Sequence, residues 1–331
     1  MHFSTQFKHK LLQSSPESFD ELALELFHWQ AQQNPIYRTY LSYLKINPAT
    51  IKNIEQIPCL PIEFFKYHRV LSGNHAKALQ VFESSGTTGQ TRSKHYVPDV
   101  AWYHNVCYSI FNQQWGKIQD FHIFALLPSY LERQNASLVS MADYFIRQSQ
   151  SSHSGFYLND FPRLVDEMEK ARKTERKVLI LGVTFALLDL AEQFVLDWPE
   201  VIIMETGGMK GRRKELTRAE VHQIITKKLG VSAVASEYGM TELLSQAYAK
   251  QAGQFSSPHW MKVLIRDIYD PFTYLENGKQ GGVNVIDLAN VDSCAFIETK
   301  DLGRILQEGY FEVLGRYDNS EIRGCNLMLQ S

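Results

Sequence analysis

The chain has 331 residues, 44% of them hydrophobic, enough to bury a sizeable core as one large α/β domain or a large and a small one. Its 34 basic and 36 acidic residues leave a formal charge of -2, which excludes a global electrostatic pull toward nucleic acid or anionic membrane. Met1-His2-Phe3-Ser4-Thr5-Gln6 lacks a charged stretch followed by an apolar signal core, and no apolar run approaches the length of a membrane span, so the cytoplasm is the expected compartment.

Along the chain, Ser15 can cap a helix and Pro16 suits its first position. Phe19, Leu22, Leu26 and Trp29 form an apolar stripe that ends before Asn34-Pro35. Ile57-Pro58-Cys59-Leu60-Pro61 reads as a proline-bounded extended stretch leading into Phe64-Phe65. Val81-Phe82 then precede Ser84-Ser85-Gly86-Thr87-Thr88-Gly89. Two glycines let this backbone approach an anion and four hydroxyls donate to phosphate oxygens, while Arg92, Lys94 and His95 are placed to offset negative charge. The loop is not a Walker loop, since no Gly-Lys-Ser/Thr follows, and the three glycines of a dinucleotide fingerprint are absent.

From about residue 120 the apolar pattern alternates. Strands are predicted at 121–127, 177–181, 201–204 and 231–235, with helices at 137–147, 162–173 and 185–196 between them. Thr217-Arg218-Ala219-Glu220 is a capping box opening a further helix that Gly230 ends. Such alternation implies a largely parallel sheet flanked by helices. The last third holds short strand candidates at 262–266, 282–287 and 295–299 separated by turns, a smaller β-rich subdomain. Cys59, Cys107, Cys294 and Cys325 are far apart and signal neither a disulfide framework nor a zinc site. Tyr103, Phe111, Phe124, Tyr130 and Phe185 are plausible pocket aromatics, although core packing explains each of them better.

Loops that follow strands in such a sheet are where ligands bind. Met204-Glu205-Thr206-Gly207-Gly208-Met209-Lys210 sets a glycine pair after an apolar strand, so that a flat ring can lie against bare backbone. Ser236-Glu237-Tyr238-Gly239-Met240-Thr241-Glu242 supplies an aromatic ring for stacking, a hydroxyl for a phosphate oxygen and a carboxylate for magnesium.

Residues 84–89 and 238–242, Thr299-Lys300-Asp301 and Gly315-Arg316-Tyr317-Asp318 occur in the order and approximate spacing of the signature motifs of the adenylate-forming superfamily, which the chain resembles. The resemblance implies an α/β fold: a large adenylation-type N-terminal domain with mostly parallel sheets flanked by helices, and a smaller β-rich subdomain. It also implies ATP and Mg2+ as cofactors. Ser84, Ser85, Gly86, Thr87, Thr88 and Gly89 would wrap the pyrophosphate. Tyr238, with Gly239 and Met240 beside it, and the Gly207-Gly208 backbone would hold adenine; Thr241 would meet the α-phosphate and Glu242 would bind magnesium. Asp301 would grip the ribose hydroxyls, with Arg316 nearby.

Departures from that pattern are informative. Gln90-Thr91-Arg92-Ser93-Lys94 stands where a Pro-Lys-Gly is usual, and the mobile domain that brings in a catalytic lysine would begin just after Asp318, whereas the sequence stops at Ser331. This layout, with Leu127-Pro128-Ser129-Tyr130-Leu131-Glu132-Arg133, Gly182-Val183-Thr184-Phe185-Ala186-Leu187-Leu188 and Gly207-Gly208-Met209-Lys210, looks like the acyl-protein synthetase (LuxE-like) branch of bacterial bioluminescence. The expected organisation is an adenylate-forming domain over 1–318, with its β-rich part at about 258–318, and a mobile tail over 319–331.

The branch implies activation of a fatty acid as acyl-AMP and transfer of the acyl group to a cysteine near the carboxyl terminus. A partner protein, such as a reductase or carrier, then receives it. Cys325 sits where such a cysteine would be, with Arg323 two residues away to favour its thiolate. Lys210, in a cluster with Arg212 and Arg213, either brings a cation to the phosphates in place of the missing lysine or is a solvated helix-entry charge. Two other functions fit parts of the pattern: an adenylating ligase that delivers its acyl group to coenzyme A or a carrier protein, and a non-catalytic nucleotide-binding scaffold.

Overall fold

A computed structural model of the chain describes residues 3–74, 80–84, 91–127, 135–207, 216–307 and 309–317. Helix α1 (Phe3–Leu12) buries Phe7 and Leu11, and its Phe3 ring stacks on Trp29 with centroids 4.7 Å apart. Helix α2 (Phe19–Gln33) carries the expected apolar stripe inward at Phe19, Leu22 and Leu26. Ser15 and Pro16 open a single 3-10 turn, Pro16–Ser18, that runs into α2. Asn34 starts a new helix where the stripe stops. Its side-chain oxygen accepts from the amides of Ile36 and Tyr37 at 3.1 and 3.0 Å, and Pro35 stands first in α3 (Pro35–Tyr43).

Strand β1 (Leu60–Pro61) and the short helix α4 (Phe64–Tyr67) follow, then β2 (Gln80–Glu83) and β3 (Lys94–Val97) on either side of the phosphate-loop sequence. Helix α5 (Val100–Trp115) is capped by Asp99, whose carboxylate accepts from the Trp102 amide at 2.9 Å. It buries Trp102, Tyr103, Val106, Cys107, Ile110 and Phe111 at helical spacing.

The alternating region continues as β4 (Phe121–Leu126), α6 (Ser137–Ser149), β5 (Gly155–Phe156), α7 (Phe161–Ala171), β6 (Lys177–Val183), α8 (Thr184–Gln193), β7 (Ile202–Thr206), α9 (Arg218–Leu229), β8 (Val234–Tyr238) and β9 (Ala247–Ala249). The capping box forms as expected, with the Thr217 amide donating to Glu220 at 2.7 Å and the Glu220 amide donating to Thr217 Oγ1 at 3.3 Å. Gly230 ends α9 at φ +66°, where an added Cβ would lie 2.7 Å from the backbone of Leu196 and Asp197. Strand β8 starts three residues later than the sequence predicts. Ser232, exposed, donates its hydroxyl to Pro199 O at 2.8 Å, which holds 231–233 outside the sheet.

After β10 (Phe255–Ser256) come β11 (Met261–Arg266), β12 (Gly281–Asp287), β13 (Phe296–Ile305) and β14 (Tyr310–Arg316). The described residues divide into two compact units, one drawn from 1–78, 93–96 and 256–331, the other from 79–92 and 97–255. In the second unit the strands run β9-β8-β7-β6-β4-β5. They are parallel except for β9, which is antiparallel to β8. β4 is buried along its whole length, as its unbroken apolar run requires. In the first unit β11 to β14 form an antiparallel meander, and β1 joins β13 in parallel, pairing Leu60 with Ile297. This mixed α/β architecture is the fold class expected from the sequence. No helix among the described residues is long and apolar enough to cross a membrane.

Candidate active site

Ser84 follows β2 directly, while Ser85, Gly86, Thr87, Thr88, Gly89, Gly208, Lys210 and Cys325 lie outside the described residues. At the loop's far end Arg92 stands 3.6 Å from the carboxylate of Glu83, so its charge already has a partner. Lys94 is exposed at the start of β3. His95 differs from the expectation of a phosphate-facing cation. It is buried, with Nε2 3.2 Å from Asn290 Oδ1 and its ring edge-on to Phe65. Strand alternation explains the difference, because neighbouring residues of β3 face opposite ways.

Two carboxylates outside the four sequence motifs' assigned roles occupy the ends of β7 and β8, where the register pairs Glu205 with Ser236 and Thr206 with Glu237. Glu205 accepts from Thr184 Oγ1 at 2.8 Å and Ser236 Oγ at 3.0 Å, and lies 3.4 Å from Arg218 Nε and 3.5 Å from His222 Nε2. Burial opposes its ionisation, but the contacts from His222 and Thr184 and the charge of Arg218 outweigh burial and hold its carboxyl below the usual range. Glu237 shows the reverse balance. Burial pushes its pKa up to about 7 against a hydrogen bond from Thr206 Oγ1 at 2.6 Å, and the charge of Glu205 adds to the rise. The available signal was positional: each glutamate follows an apolar strand by one residue or interrupts its end.

Tyr238 is the last residue of β8, and its ring lies 5.9 Å from Phe255 at a tilt. Gly239 turns the chain closely over Glu237, since an added Cβ would come 2.4 Å from Glu237 Oε1. Tyr238 Oη reaches Met240 Sδ at 3.8 Å. Thr241 is half-buried and Glu242 is 4% exposed. Gly207 is exposed at the end of β7 with open space at its missing Cβ. These groups set an aromatic ring, a hydroxyl and a carboxylate on one loop at the carboxyl ends of parallel strands, the end at which open α/β sheets bind ligands.

In the first unit, Asp301 of β13 faces Arg316 of β14 across the ladder, with Nε 3.2 Å from Oδ1. The carboxylate is 8% exposed and the guanidinium 68%. The Asp301 amide donates to Thr299 Oγ1 at 3.0 Å. Behind this pair Arg266 donates to Thr299 O at 3.0 Å and to the hydroxyl of Tyr317, whose own amide donates to Lys300 O at 3.0 Å. Asp301 thus presents a carboxylate on a braced strand, suited to accept from a diol, with a cation beside it.

No protein-family model matches the chain. It is 21% identical to the long-chain-fatty-acid–luciferin-component ligase of Aliivibrio fischeri, over 99% of this chain and 92% of that protein. Among solved structures, 2-hydroxyisobutyryl-CoA ligase in complex with 2-HIB-AMP and CoA superposes with a TM-score of 0.65 at 12% identity, covering 92% of this chain and 70% of that one. The chain therefore shares its fold with that CoA ligase. ATP-bound MatB from Rhodopseudomonas palustris matches with a TM-score of 0.54 at 19% identity over 71% of this chain. The chain spans 47% of the length of MatB. The resemblance read from the four ordered motifs is therefore met both by a ligase similar over almost the whole chain and by the fold.

Proposed function

We propose that the chain is an ATP-dependent ligase that activates a fatty acid as acyl-AMP with release of pyrophosphate, then transfers the acyl group to a thiol, Cys325. The observation that carries this reading is the Asp301–Arg316 pair, in which residues of two separate sequence motifs meet across β13 and β14. Similarity to the fatty-acid ligase of Aliivibrio fischeri over 99% of the chain supports the choice of acid.

A carboxylate is a poor acyl donor because its leaving group would be oxide. Adenylation replaces that group with phosphate. In the first step a carboxylate oxygen attacks the α-phosphorus and the bond to pyrophosphate breaks. Residues 84–89 wrap the departing pyrophosphate, Thr241 donates to an α-phosphate oxygen, Tyr238 and Gly207-Gly208 hold adenine, and Asp301 accepts from the ribose hydroxyls beside Arg316. Magnesium would suit the buried carboxylate of Glu242, because it is commonly held by one or two carboxylates together with substrate phosphates, and when bound it would offset charge on the leaving group. In the second step the Cys325 thiolate attacks the acyl carbonyl and AMP leaves.

Cys59, Cys107 and Cys294 are all buried and in no disulfide, which makes them poor acyl acceptors and supports the choice of Cys325. The thioester would then pass to a protein partner. The test is hydroxylamine-sensitive labelling of the protein by radiolabelled fatty acid and ATP. Labelling that persists in Cys325→Ser would refute self-acylation while leaving adenylation standing. Delivery to coenzyme A is a second reading, favoured by the fold shared with a ligase solved in complex with CoA. It predicts thioester on added coenzyme A with no protein-bound intermediate.

A further inference from the structure

A cleft of about 310 Å³ opens on the first unit, between α3, the turn before β1, the β11–β12 connection and β13. That volume lies at the lower end for pockets that hold small molecules. Its walls include the rings of Tyr40, Phe272 and Tyr274 and the carboxylates Glu55 and Glu298. None of the described residues lining it is Lys, Arg or His.

The walls are fixed from behind. The Tyr40 hydroxyl donates to Cys59 O at 3.1 Å, and the Tyr274 oxygen accepts from Asn284 Nδ2 at 3.2 Å. Arg266 Nη2 stands 3.3 Å from Glu298 Oε1, and Arg266 and Asn284 are each 1% exposed. One buried cation therefore stands behind a cleft with two carboxylates. Burial raises the pKa of Glu298 in spite of Arg266, so its charge is held at a cost that a second cation would relieve. The cleft is also separate from Asp301. Successive residues of a strand alternate in direction, so Glu298 and Lys300 face away from the side of β13 that carries Thr299 and Asp301, in line with the burial pattern.

We propose that this cleft binds a small organic cation, an alkylammonium, with its charge set against Glu298 and Glu55 and its apolar body against the aromatic rings. Rings attract such cations by their quadrupole, and a desolvated carboxylate rewards the same charge. A neutral ligand of the same shape gains no charge pairing with Glu298 or Glu55, and an anion is repelled.

Calorimetric titration of the full chain with n-butylammonium and tetramethylammonium, against n-butanol and butyrate, tests the proposal. Saturable binding of an ammonium is expected, with butanol at least roughly tenfold weaker and butyrate silent. Glu298→Gln should weaken ammonium binding at least as much. Because that change strips Arg266 of a partner, Glu55→Gln and Phe272→Ala repeat the test at exposed positions, Phe272 being 53% exposed, with the unfolding midpoint checking the fold. Loss of affinity at an unchanged midpoint supports the proposal. Butanol binding as well as butylammonium, ammonium affinity unchanged in the well-folded variants, or no saturable heat with either ammonium would overturn it.

Discussion

Asp301 and Arg316 meet across neighbouring antiparallel strands, 3.2 Å from carboxylate to guanidinium, although fourteen residues of chain and a turn separate them. Because Arg316 is 68% exposed, the pair contributes little to folding, roughly 1 kcal/mol at most. Its proposed value lies in nucleotide binding. Arg316→Ala should leave the unfolding midpoint nearly unchanged while lowering kcat/KM for ATP by about 10- to 100-fold, the usual scale for a charge-assisted hydrogen bond. Thermal unfolding and pyrophosphate-exchange kinetics on the same sample check both halves.

Gly303 offers a way to disturb that pair without touching it. A Cβ there would come 2.5 Å from the backbone oxygen of Glu312 on β14, which cannot swing aside as a side chain would. Gly303→Ala should pry β14 from β13, costing about 1–3 kcal/mol by overpacking and reducing exchange activity along with stability. Equal stability and activity to the parent chain would show that the ladder tolerates the shift.

Glu237 should make stability pH-dependent. A carboxyl whose pKa is higher in the fold than in the open chain keeps its proton better when folded. Stability is then greatest below the open-chain value of 4.5 and declines as pH rises toward about 7. The loss is on the order of 3 kcal/mol across that range. Glu205 acts oppositely, since its lowered pKa adds stability above 4.5 that is lost as pH falls. Glu237→Gln should remove the decline between pH 4.5 and 7, as read by denaturant unfolding at several pH values.

The cysteines should separate by reactivity. Burial raises Cys59 to about 12 and Cys294 higher still, so neither supplies thiolate near neutrality. Iodoacetamide on the native protein should therefore alkylate Cys325 and spare Cys59 and Cys294 until the chain is unfolded, as peptide mass mapping would show.

Local chemistry was the most legible part of the sequence. The Thr217–Glu220 capping box, the Gly230 stop and the unbroken apolar run of β4 each follow from a few neighbouring residues. Helix α5 is harder to read, because its buried face mixes Trp102, Tyr103 and Cys107 with Val106, Ile110 and Phe111 and carries no leucine. Of the proposed site, motif order singles out Tyr238 to Glu242 and Asp301, which the fold puts at the end of β8 and opposite Arg316. The Glu205–Glu237 network is not legible in this way, because its bonds join Thr184, Thr206 and Ser236, about 20 to 30 residues away, and exist only once β6, β7 and β8 pair. Arg266 looks like an ordinary charge at a strand end until Thr299 and Tyr317 close around it.

The most direct test of the account is fatty-acid-dependent exchange of labelled pyrophosphate into ATP by the full chain. Label is expected in ATP only when a fatty acid is present, and most of that signal should be lost in Asp301→Ala. ATP binding without exchange for any acid across a panel of chain lengths would contradict it.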